Sequence, residues 1–82
     1  MKGSDGGPAR VRDALGGGDG VVDAFDERRG IGTVRAPDGT TYPFHCTQIA
    51  DGSRTIAIGT EVRFAVIAGH LGRLEAAAIE RR

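Results

Sequence analysis

Lysine disappears from the chain after Lys2, tryptophan never occurs, and cysteine occurs once, at Cys46. One cysteine excludes an internal disulfide and any Cys-rich metal site, which makes a reducing cytoplasm the simplest compartment to expect. No apolar run approaches the roughly 20 residues needed to cross a bilayer, and the first residues contain no continuous apolar stretch of the kind that heads an export signal. A soluble protein without a membrane partner is therefore expected. Net charge is absent too, because 11 lysines and arginines balance 11 aspartates and glutamates. Affinity for a polyanion cannot rest on overall charge and would have to come from local geometry. Aromatic residues make up only 5% of the chain, too few for an extensive stacking surface.

What is present is glycine, at 14 of 82 residues about twice the usual share, which favours turns and short strands over long helices. A chain of this length makes one small domain that buries about 60 to 65% of its unfolded surface. Residues 1–19 are dominated by Gly, Ser, Asp, Pro and Arg and offer only Val11, Ala14 and Leu15 as apolar groups. That cannot offset the entropy of ordering, so a flexible Gly-rich tail is expected there, with the folded domain over 20–82.

From Gly20 the texture becomes β. Val21, Val22 and Phe25 suit a first strand, and Gly30 to Arg35 a second with β-branched Ile31, Thr33 and Val34. Ala36-Pro37-Asp38-Gly39 is a hairpin signal, followed by a third strand, Thr40 to His45, which Pro43 confines to a sheet edge or an irregular place. Cys46 to Ile49 suits one helical turn. Residues 60–68 alternate cleanly, with Val62, Phe64 and Val66 on one side and Glu61, Arg63 and Ala65 on the other. The segment Leu74 to Glu80 is also a good helix former, but four strands with an open edge gain more from a fifth strand than from an isolated two-turn helix. The expected core is Val21, Val34, Phe44, Ile49, Ile58, Val62, Phe64, Val66, Ala77 and Ile79. Five short antiparallel strands with a longer connection between the third and fourth describe an all-β fold, a small closed Greek-key barrel of the oligonucleotide/oligosaccharide-binding (OB) kind, with an SH3-like barrel as the other candidate.

The segment R-R-G-I-G-T-V, Arg28 to Val34, has the outline of a ribonucleoprotein motif in which glycines admit bases to the strand and aromatics stack on them. With G-V-V-D-A-F-D before it and Y-P-F-H-C-T-Q-I, I-G-T-E-V-R-F and A-A-A-I after it, the chain over 20–82 resembles the bacterial cold-shock protein family. The resemblance implies binding of single-stranded RNA or DNA on the face of the second and third strands, in regulation of transcription or translation. Its stacking surface is depleted: the family's first-strand Trp falls on Ala24, its second-strand Phe on Ile31 and Thr33, its third-strand Phe on Pro43 and Cys46, and its loop aromatic near Ser53. Phe25 and His45 are retained. The nucleic-acid-binding residues so implied are Phe25, Arg28, Arg29, Ile31, Thr33, His45 and Arg54. A base stacked on an aromatic is worth about 1 to 3 kcal/mol, so binding is expected to be weak unless arginine planes replace the lost rings. The alternative is a barrel whose old nucleic-acid face serves a protein partner, or a dimer; a monomer is expected over a dimer.

Each candidate also has an ordinary structural role. Phe25 could equally pack in the core, Arg28 and Arg29 stand beside Asp26 and Glu27 in a self-neutralising turn, and Cys46 suits a small filler. His45 next to Cys46 suggests a nucleophile and base, but adjacent strand residues point to opposite faces. His45 and His70 lack carboxylates at ligand spacing, and no phosphate-cradling glycine loop precedes a helix. No cofactor, no metal and no enzymatic activity are expected.

Overall fold

The computed structural model describes residues 15–82, which form five strands: β1 (Gly16–Asp26), β2 (Ile31–Arg35), β3 (Thr41–His45), β4 (Glu61–Ala68) and β5 (Leu74–Arg81). They make one antiparallel sheet in the order β3-β2-β1-β4-β5. The long β1 serves two partners, its first half pairing β4 (Gly16↔Val66 to Val21↔Glu61) and its second half β2 (Val21↔Arg35 to Asp26↔Ile31). A 3-10 turn, Cys46–Gln48, leaves β3, and beyond it Ile49 forms a parallel bridge with Ile79 of β5, where the Ala50 N–H donates to the Ile79 carbonyl at 2.8 Å. Among the described residues no helix is long and apolar enough to cross a membrane.

The tail expected over residues 1–19 lies outside the described residues for 1–14, and for 16–19 the structure replaces it with strand. Gly16 to Asp19 pair in register with Val66 to Arg63, and all four are exposed. Composition argues against order there because no apolar side chain is buried, yet backbone pairing along β4 needs none. The turn after β2 forms as its residues require. The Gly39 N–H donates to the Ala36 carbonyl at 2.9 Å, the Thr40 N–H donates to the Asp38 carboxylate at 2.9 Å, and Gly39 takes φ 91°. Pro43 sits on an edge strand, where its missing N–H leaves no gap in the ladder.

The core is Val22, Val34, Phe44, Ile49, Ile56, Val62, Phe64, Val66, Ala76, Ala77 and Ile79. Two expected members are corrected. Val22 is buried in place of Val21, because it stands opposite the buried Val34 and a bulge at Asp23 then shifts the alternation. Ile56 (5% exposed) replaces Ile58 (66%), because Gly59 N–H donates to the Val22 carbonyl and Thr60 N–H to the Ala57 carbonyl, which turns Ile58 outward. In β5 the consecutive buried residues Ala76 and Ala77 accompany a second irregularity. Ala78 takes φ 51°, and its N–H donates to Gln48 Oε1 at 3.3 Å, so the bulged donor is satisfied.

The long β3–β4 connection is tied to β5 by Asp51. Its carboxylate accepts from Ser53 N–H at 2.8 Å and from Arg81 Nε at 3.0 Å, and Arg81 also donates to the Thr55 carbonyl at 3.2 Å. The hydrogen bonds from Ser53, with a smaller contribution from Arg81, lower the Asp51 pKa from the ordinary 3.8 to about 2. A depressed carboxylate contributes stability that is complete above its unfolded pKa and is lost as pH falls through the folded value. The thermal midpoint is therefore expected to decline between pH 3.8 and about 2, with a shallower decline in Asp51→Asn. Parallel acid profiles of the two proteins would show that this carboxylate does not hold the loop.

Candidate functional site

The pleat and register of β1, β2 and β3 decide which side chains share a surface. Ala24 stands opposite Thr33 and Thr33 opposite Pro43, giving one row across three strands; Asp26, Ile31 and His45 make the next. Between these rows Phe25, Gly32 and Phe44 point to the other side, toward the core. Gly32 is required there. A Cβ on it would come within 2.9 Å of Phe25 Cδ1, 2.8 Å of Phe44 Cζ and 2.5 Å of the Ala24 carbonyl oxygen. The space it leaves is filled by Phe25 stacked on Phe44, ring centroids 6.0 Å apart and planes 17° from parallel.

Around these rows lies an open groove of about 590 Å³. Its walls are Ala24, Phe25, Ile31, Gly32, Thr33, Pro43 and Phe44, with three titratable side chains, Asp26, His45 and Glu75. Of the residues the sequence singled out, Phe25, Ile31, Thr33 and His45 meet here. Phe25 does so as a half-buried ring packed on the core, not as a freely presented platform. Arg28 and Arg29 do not line the groove; they occupy the exposed β1–β2 turn at its lip, between the lining residues Asp26 and Ile31. Arg54 lies in the β3–β4 connection and does not line it either. Ala24 and Pro43 enter through their register, and Glu75 arrives from β5, which no local sequence signal connects to β2 or β3.

His45 is oriented by the 3-10 turn that follows it. Its Nδ1 accepts from the Thr47 backbone N–H at 3.2 Å and lies 3.0 Å from Thr47 Oγ1. An acceptor at Nδ1 puts the ring proton on Nε2, which is left as a donor. Contrary to the expectation of opposite faces, Cys46 Sγ comes within 3.9 Å of this same Nδ1, because β3 ends at His45 and the backbone turns. The lone pair is nevertheless engaged by Thr47, so the pair lacks a free base.

The turn carrying Arg28 and Arg29 is fixed by Asp26. Its Oδ1 accepts from the N–H of Arg28 at 3.0 Å and of Arg29 at 3.2 Å, and its carbonyl accepts from Gly30 N–H at 2.8 Å. Both arginines are exposed on this turn while one oxygen of the carboxylate is held by backbone donors. Four other arginines are paired with carboxylates: Arg35 with Asp23 at 3.6 Å, Arg63 and Arg82 with Asp19 at 3.7 and 3.5 Å, Arg82 with Glu61 at 3.9 Å, and Arg81 with Asp51 at 3.0 Å. These exposed pairs contribute little stability, but they remove any continuous basic stripe over β1, β4 and β5. Among the described residues no group of three or more His, Cys, Asp or Glu side chains converges as a metal site would require. No protein-family model matches the chain, and no curated protein is found to be similar to it.

Proposed function

We propose that the protein is a single-stranded nucleic-acid-binding module of cold-shock type, its sheet closed into an OB-like Greek-key barrel through β3 and β5. The parallel Ile49↔Ile79 bridge and the Ala50 to Ile79 hydrogen bond support closure. The observation that carries the function is the groove itself. Three strands bring apolar Ala24, Ile31 and Pro43, the hydroxyl-bearing Thr33, Phe25 and His45 to one open surface, with two arginines on the adjoining turn. Bases would enter the groove while phosphates stay at Arg28 and Arg29.

Phosphate contacts confined to Arg28 and Arg29 mean few released counterions. The logarithm of affinity for a short single strand is expected to fall with the logarithm of salt concentration at a slope of about −1.4, and Arg28→Ala with Arg29→Ala should flatten it. Fluorescence anisotropy with labelled hexamers across several salt concentrations checks this; absence of binding at low salt would refute the proposal. One observation favours a second reading. The titratable lining includes two carboxylates and no arginine, a composition that also suits a cationic segment of a protein partner.

A further inference from the structure

Glu75 is the one lining residue of the groove that β1, β2, β3 and the β1–β2 turn do not supply. It is half-buried at the start of β5 and lies along the bare α-carbon of Gly69 in the β4–β5 hairpin, where a Cβ would collide with its carboxylate. That hairpin is closed by the Gly69 N–H to Arg73 carbonyl bond and the Gly72 N–H to Gly69 carbonyl bond at 3.1 Å, so the glycine is a fixed seat for the carboxylate. The other carboxylate of the groove, Asp26, has its Oδ1 taken by the backbone N–H groups of its own turn, which leaves it a single oxygen for a ligand. Among the described residues Glu75 is thus the carboxylate of the groove that can offer both oxygens to one ligand edge.

An ionised carboxylate accepts hydrogen bonds and donates none. The unpaired bases of a single strand expose their Watson–Crick edges, and these edges differ in what they offer such a group. Guanine presents two adjacent donors, N1–H and the N2 amine, spaced to meet both oxygens of one carboxylate. Thymine and uracil present a single N3–H flanked by two carbonyl oxygens, which repel it. Charge-assisted paired bonds of this kind are stronger than neutral ones and geometrically selective. Resting on the nucleic-acid reading of this groove, we propose that Glu75 is a specificity-determining residue that selects guanine over thymine or uracil at one position of the bound strand. The same carboxylate accounts for the want of cations in the groove: it receives base edges and turns the phosphates out to the arginine lip.

The test uses three labelled DNA pentamers of thymidine whose central base is guanine, hypoxanthine or thymine. Hypoxanthine keeps N1–H and lacks the N2 amine, so it removes one of the two donors without touching the protein. Guanine is expected to bind roughly tenfold tighter than thymine, with hypoxanthine between them. Glu75→Gln, which replaces one oxygen by an amide donor, should weaken the guanine pentamer and strengthen the thymidine pentamer, whose carbonyl oxygens the amide can donate to, so that the two approach similar affinity. Equal affinity for guanine and hypoxanthine in the unaltered protein overturns the assignment even if the variant does not fold. So does a guanine preference that survives Glu75→Gln. If none of the pentamers binds at low salt, the nucleic-acid reading falls and the assignment falls with it.

Discussion

Replacing Ala24 by Trp and Thr33 by Phe is expected to strengthen binding of a short single strand by about 2 to 6 kcal/mol, the sum of two restored base-stacking surfaces. Ala24 and Thr33 are direct cross-strand partners on β1 and β2, outside the Phe25 and Phe44 layer, so both new rings would project into the groove without entering the core. Aromatic residues suit these pleated positions, and neighbouring rings across an antiparallel pair gain from each other. Thr33 faces Pro43 on its other side, so the new Phe would be flanked by an apolar ring and not by a charge. Anisotropy titration of the double variant against the parent measures the gain, after sedimentation has shown a folded monomer, since exposed aromatics promote association. A folded monomer that binds no better than the parent would mean that this face does not receive bases. The carboxylates of the groove would then be better explained by a cationic protein segment.

The parts of this fold that could be read from the chain are those in which local pattern and tertiary contact agree. Val62, Phe64 and Val66 alternate because β4 is a regular strand with one face on the core, and they are buried as that pattern demands. Leu74 to Arg81 reads locally as helix or strand, and the strand prevails because β4 has an edge to fill. Val21 misleads for the opposite reason: counting back by twos from the core-packed Phe25 lands on it, and the bulge at Asp23 breaks the count. Bulges add a residue without a compositional mark. The site divides similarly. Ile31, Thr33 and His45 fall on one face because alternation within a hairpin is local information, whereas Phe25 could be assigned to face or core only once Gly32 was seen to vacate the space beneath it. Glu75 reaches the groove through the approach of β5 to β3, which sequence period cannot report.

Phe44→Ala is expected to cost about 3 to 5 kcal/mol of stability, and at this domain size each kcal/mol lowers the thermal midpoint by roughly 4 to 8 °C. Phe44 is 2% exposed and carries the far side of the Phe25 stack. Gly32 has no side chain to move into the vacated volume, and Phe25 is already half-buried against it, so the cavity persists and the full penalty applies. Phe25→Ala should cost less, because its ring is only partly removed from water. The two truncations together should cost less than their sum, since the ring pair contributes about 0.5 to 1.5 kcal/mol beyond burial and can be lost only once. Calorimetry of the four proteins of this cycle gives the coupling directly. Strict additivity would show that the rings do not support each other. In that case Phe25 would be free to leave the core and stack on a base, and the groove would have one more aromatic surface than its packing indicates.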